Sequence, residues 1–326
     1  MKSYIIRKYQ SSDYSLWNEF VANAKNATFL FHRDFMEYHS DRFEDFSLLV
    51  FDEKMQLNAI LPANISNNVV YSHQGLTYGS LVLHKKAKLH EAIGMTSFLL
   101  KFLESNNIPS LFLKQIPFIY TSFPSEEMEY VSFLLQPKLV KRDSLSVLNM
   151  ETDHFISKDR IQAINRGVKN GLVFKEETSF DTFWNQILIP NLVQKHNTHP
   201  VHNLNEITYL KSKFPSNIRQ FNVYFGDELV AGTTIFESEF VAHSQYISGN
   251  SNKNELGSLD FLHNTLINYT FKDKKYFDFG ISNENQGKNI NEGLLYWKES
   301  FGARTIVQNF YEIETKNYKL LENVLI

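Results

Sequence analysis

The sequence predicts a mixed α/β protein made of two tandem domains related by duplication. Three observations lead there. The chain has 326 residues, about two domains of the usual size. Hydrophobic residues are 43% of it and charged residues 21%, which supports a large core and argues against disorder. An order of hairpin, third strand, helix and strand is read twice along the chain, with echoing residues at matching places.

In the first half, Trp17, Phe20, Val21 and Ala24 share one face of a helix expected from Asp13 to Ala24, with Ser11 or Ser12 as its cap. An extended run from Phe46 to Phe51 turns at Asp52-Glu53-Lys54, and a second runs from Met55 to Ile65. The Asn67-Asn68 pair turns the chain into Val69-Val70-Tyr71. Leu89, Ala92, Ile93, Thr96, Leu99, Leu100 and Leu103 mark an amphipathic helix. Asn106-Asn107 ends it, and Leu111 to Ile116 reads as a strand.

The second half follows suit. Strands are expected at Ile218–Phe225, Leu229–Glu237 and Phe240–Ser248, with Gly226-Asp227 as the hairpin turn. A polar loop leads to a helix bearing Leu259, Leu262, Leu266 and Tyr269. Tyr276–Phe279 is the next strand, Leu294, Trp297 and Phe301 mark another helix, and Thr305–Ile313 closes. Phe51-Asp52-Glu53 echoes Phe225-Gly226-Asp227-Glu228, and Tyr71-Ser72-His73-Gln74 echoes His243-Ser244-Gln245-Tyr246. The expected domains are 1–156 and 157–326. Ser157–Gly171 joins them as a helix with an Ile161, Ile164, Val168 stripe and Gly171 as its stop.

Composition narrows the function classes. There is no cysteine, which removes disulfides, thiolate catalysis and Cys-ligated metals together. A reducing, cytoplasmic setting is the expectation. MKSYIIRKYQSSDY is neither a signal peptide nor an anchor, and no window has the roughly 18 apolar residues of a membrane span. A net charge of −3 disfavours nucleic-acid binding by bulk electrostatics. One stretch departs from this balance. Lys138, Lys141, Arg142, Lys158, Arg160, Arg166, Lys169 and Lys175 are accompanied by only Asp143, Glu151, Asp153 and Asp159. It is either a solvated face or an anion site.

Four places could carry chemistry. The loop Asn250–Ser258 precedes a helix, whose first N–H groups and dipole suit a phosphate. Gly257 would let the backbone come close. His196, His199 and His202 are spaced by three, but Pro200 interrupts any helix that would gather them and no carboxylate lies among them. No metal site is expected there, and His199 or His202 would face a substrate instead. His243 lies on the third strand, with Gln245 on the same side and Tyr246 on the other, and a histidine there could act as a base. Finally, Phe277–Gly287 and Asn291–Arg304 place Asp278, Asn283, Asn291 and Lys298 around the carboxyl end of a strand, where open α/β sheets hold ligands. Lys298 is read on the exposed face of its helix.

The run FDFGISNENQG followed by NEGLLYWKESFGAR resembles the C-terminal end of FemAB-like members of the GNAT acyltransferase superfamily, where a Lys-x-x-Phe-Gly segment ends the last helix. The basic Ser157–Gly171 segment is similar to the helix that opens their second domain. The resemblance covers mainly residues 157–313. It implies two GNAT-like domains and transfer of an acyl or aminoacyl group to an amine, such as that of an amino sugar or an envelope or polysaccharide precursor. It implies acyl-CoA (acetyl-CoA) as co-substrate, with its arm beside Tyr246, Ile247 and Ser248 and its pyrophosphate at Leu256, Gly257 and Ser258. His243, with Tyr246, would serve catalysis. Arg160, Arg166 and Lys298 would hold acceptor phosphate or carboxylate. The usual phosphate loop has Gln or Arg, two residues, Gly, one residue, then Gly or Ala. Here Asn254, Gly257 and Leu259 stand at those places, so only the central glycine matches. Aminoacyl-tRNA is the alternative donor, disfavoured by the net acidity and by the missing helical arm. A binding protein without turnover is the other alternative.

Overall fold

The structure, a computed structural model, describes residues 2–326. The chain separates into two compact units. One takes the chain up to Asp143 together with Val307–Ile326, and the other is Ser144–Ile306. The division therefore falls ahead of residue 156, and the chain's end joins the first unit.

The first unit opens with β1 (Tyr4–Lys8) and α1 (Tyr14–Asn23). β2 (Leu48–Asp52) and β3 (Leu57–Leu61) follow as an antiparallel hairpin, with β1 antiparallel on the other side of β2. Asn67 and Asn68 turn the chain in the left-handed region, at φ 49° and 60°, which asparagine tolerates because its side chain bonds locally. They feed β4 (Val69–Tyr71). α2 (Leu89–Ser105) buries Ala92, Ile93, Met95, Thr96, Leu99, Leu100 and Leu103 against Leu48, Val50 and Leu61. Each large aliphatic side chain so placed contributes about 1.5–3 kcal/mol. β5 (Ser110–Lys114) and α3 (Glu127–Leu135) complete this part.

β4 and β5 pair in parallel over three residues, Val69↔Ser110 to Tyr71↔Phe112. Beyond them the two strands part, and the chain itself fills the gap. Ser72 N donates to the Phe112 carbonyl at 2.9 Å and Gly79 N to the Lys114 carbonyl at 2.8 Å. The Lys114 ammonium donates to the carbonyls of His73, at 3.2 Å, and Leu76.

β6 (Lys138–Asn149) leads into the second unit. There α4 (Lys158–Lys169), β7 (Val173–Glu177), α5 (Ile189–His196) and α6 (Leu204–Lys213) come first. β8 (Ile218–Phe225), β9 (Glu228–Glu237) and β10 (Val241–Gly249) form an antiparallel meander, with β7 antiparallel to β8. α7 (Ser258–Thr265), β11 (Tyr276–Ile281), α8 (Glu292–Glu299) and β12 (Arg304–Glu314) complete the order. β12 reaches the first unit at Val307 and pairs antiparallel with β5 from Phe310 to Glu314. β10 and β11 pair in parallel over three residues only, Val241↔Tyr276, Ala242↔Phe277 and His243↔Asp278. β11 turns its other edge to β6, Phe277 opposite Leu148. Phe277, Phe279, Leu262, Leu266, Phe301 and Val230 form the core on one side of this sheet.

Two local readings are corrected. α4 buries Arg160, Ala163, Ile164 and Gly167, while Ile161 and Val168 are exposed. The small positions on its inner face, Ala163 and Gly167, let α7 approach closely. In β10 the register shifts between Thr234↔Tyr246 and Ile235↔Ser244, so Gln245 has no partner opposite. This bulge restores Tyr246 to the His243 side, since their partners Thr234 and Phe236 share one face of β9.

Candidate functional site

The fork between β10 and β11 concentrates polar groups. His243 Nδ1 lies 3.0 Å from Asp278 Oδ2, and Asp278 is fully buried. Asp278 Oδ1 accepts the Gly280 N–H at 2.7 Å. Gly280 has φ 72°, so the turn that aims this amide at the carboxylate suits a residue without Cβ. With Nδ1–H donating to Asp278, Nε2 carries the lone pair and can accept a proton. The Lys298 ammonium donates to the carbonyls of Gly280, at 3.1 Å, and Ile281, at 2.6 Å. Burial lowers its pKa to about 8, against the raising effect of the Asp278 charge. Lys298 is thus not on an exposed face but 2% exposed, where it secures the carbonyls at the end of β11.

Further along β10 the separated strands give onto a cleft of about 550 Å³. Its apolar walls are Leu188, Leu192, Ile247, Leu259, Leu294 and Trp297, and its cations are Arg160, Lys195 and Lys253. Ser248 lines it as well, its hydroxyl accepting from Asn191 at 2.7 Å. His243 and Ile247 lie opposite Phe236 and Thr233, about 10 Å apart along the strand.

The expected site residues are distributed unevenly. Ile247, Ser248, Asn291 and Arg160 reach the cleft. Asn291 also caps α8, accepting from Leu294 N at 3.0 Å. Arg160 is held by Asp260 and by the Ser300 hydroxyl at 2.9 Å, so its charge is already compensated. Tyr246 does not line the cleft, and its hydroxyl lies 2.6 Å from His202 Nδ1. His199 and Arg166 are exposed outside the cleft. Asn283 accepts from the backbone and hydroxyl of Ser144, at 2.7 and 3.0 Å, and stays out of the cleft too.

Leu256, Gly257 and Ser258 are absent from the lining. Gly257 N–H donates to the Lys253 carbonyl. A Cβ at Gly257 would strike the Ala163 carbonyl of α4. Ser258 is fully buried, its hydroxyl directed to the Val230 carbonyl at 3.5 Å. The glycine serves the close packing of α4 on this turn, and that packing covers the place where a pyrophosphate was expected. Asp278 went unnoticed as the partner of His243, because a parallel register leaves no local mark in the sequence. Lys195 and Lys253 were missed because they lie far apart in the chain.

No family model and no curated protein sequence matches this chain. Solved structures do. FemX matches at 8% identity and a TM-score of 0.67, covering 98% of this chain and 99% of that one. L-PGS from Bacillus licheniformis matches at 12% identity and 0.61, covering 97% and 96%. A tandem GNAT protein from the clavulanic acid biosynthesis pathway matches at 10% identity and 0.50, covering 97% and 99%. The fold is therefore that of the FemAB-like and GNAT-type acyltransferases, in a two-domain GNAT-like arrangement. Among the described residues no helix is long and apolar enough to cross a membrane.

Proposed function

We propose that the chain transfers an acyl or aminoacyl group to an amine, with the chemistry at the fork of the second unit. One observation carries this reading: β10 and β11 separate after three paired residues and give onto a cleft whose wall is β10 itself at Ile247 and Ser248. A donor chain laid along β10 from that cleft directs its carbonyl carbon toward His243. The neutral amine attacks that carbon, and the thioester or ester bond breaks once the tetrahedral adduct collapses. His243 Nε2 takes the ammonium proton and returns it to the departing sulfur or ribose oxygen, while Asp278 holds the ring and stabilises the imidazolium. Gln245, without a ladder partner, offers its N–H as a donor to the developing oxyanion. The amine of an amino sugar or an envelope precursor remains the acceptor class.

For the donor, acyl-CoA is the first reading. Aminoacyl-tRNA is favoured by the Gly257 turn, whose own amide is already bonded to the Lys253 carbonyl and whose position is packed against Ala163. The test is turnover by the purified chain with an amino sugar acceptor. One arm supplies acetyl-CoA and follows thiol release. The other supplies charged tRNA and follows loss of the aminoacyl ester. Acceptor-dependent release in one arm identifies the donor, and release in neither refutes the transferase reading.

A further inference from the structure

The closed turn raises the question of what meets the donor's phosphates if backbone amides do not. The cleft answers with side chains. Lys195 comes from α5 and Lys253 from the short helix Lys253–Leu256, and both line the cleft. The stem of Lys253 lies across Gly249, where a Cβ would meet its Cβ at 3.0 Å and its Cδ at 3.2 Å. Packing against the end of β10 therefore steers this ammonium. Burial lowers the Lys253 pKa, and the Lys195 ammonium beside it lowers it further. Lys253 is half-buried and Lys195 exposed beside it, and like charges so placed repel unless an anion joins them. The one carboxylate among the lining residues, Asp260, is already engaged by Arg160 and by Trp297 Nε1 at 2.9 Å. No lining residue thus compensates the pair.

We infer that Lys195 and Lys253 form an anion site that binds a phosphate ester of the acyl donor, in place of the helix-start cradle at Gly257. The site deepens the transferase reading and rests on it for the identity of the ligand. Its chemistry is shared by the phosphates of a CoA thioester and those of a tRNA acceptor end. The lysines are substituted without loss of a core contact, so the variant K195Q/K253Q folds, as thermal unfolding will verify.

The experiment is calorimetric titration of the full chain with three probes: coenzyme A, the phosphate-free arm pantetheine, and an RNA oligonucleotide ending in CCA. Coenzyme A or the oligonucleotide binds the wild type, and which one does distinguishes the two sources. The double variant weakens that probe at least tenfold, with an affinity that falls as salt rises in the wild type and less so in the variant. Pantetheine binding is unchanged. Equal affinity of both proteins for the phosphate probes, or no binding of either probe to the wild type, overturns the site. Lysine-dependent binding without turnover from any donor would instead leave the anion site standing and remove the transferase reading.

Discussion

At the scale of single residues, His243 and Asp278 divide one task. In the proposed reaction the histidine is the proton acceptor, and the buried carboxylate fixes its tautomer. Asp278→Asn preserves volume but presents an amide that can stabilise the wrong tautomer. We expect kcat to fall by about 10²–10⁴ with KM nearly unchanged. Steady-state kinetics across pH check this, and an unaltered kcat would remove His243 from the base role. His243 was legible from its residue type on a strand near a ligand-binding edge. Asp278 was visible only as a strand residue, because pairing His243 with it needs the register of two strands separated by a helix. Lys298 was misread for a related reason. Its spacing from Phe301 gives the same helix face, and a long amine can be buried when two carbonyls at a left-handed glycine receive it.

At the scale of elements, the helix pair α4 and α7 decides what Gly257 is for. Its left-handed φ of 70° and its contact with the Ala163 carbonyl both exclude a side chain. Gly257→Ala is expected to destabilise the protein by about 2 kcal/mol or more, combining backbone strain with overpacking. Donor affinity in the fraction that folds should be little altered. Urea unfolding together with titration of the donor separates these outcomes, and a large affinity loss at unchanged stability would return Gly257 to phosphate binding. In the sequence a glycine before a helix looks the same in either role. Only the small inner face of α4, Ala163 and Gly167, hints at close helix packing. The apolar residues Ile161 and Val168 give a stronger periodic signal, yet they lie on the exposed face.

At the scale of the molecule, each unit has the same three-residue parallel fork, but the first is filled by its own chain and the second opens onto a cleft. The strand and helix order of both halves was legible because hairpin turns and amphipathic periodicity are local. The division of the units was not, since it depends on β12 pairing with β5 across a long stretch of sequence. Three histidines, spread over both units, are held neutral by burial: His39 with its pKa lowered to about 4, His73 to about 3 and His263 to about 4. In the unfolded chain each titrates near 6.5. Between these values the unfolded state binds more protons. Stability is therefore complete above about pH 6.5 and is lost as pH falls toward 4. Denaturant midpoints should drop steeply from pH 7 to pH 5, and His263→Phe should make that slope shallower. A flat profile would contradict the burial of these rings.

The bulge at Gln245 works as a counter. Along β10 the side chain there matters less than the presence of one extra residue, because a strand alternates its faces with every step. Removing that residue would leave the ladder continuous and keep Tyr246, Ile247 and Ser248 opposite Thr234, Thr233 and Gly232 with their faces unchanged, so the cleft wall would stay while the unpaired position is lost. The unpaired position at Gln245 thus depends on chain length, a property that substitution alone cannot alter.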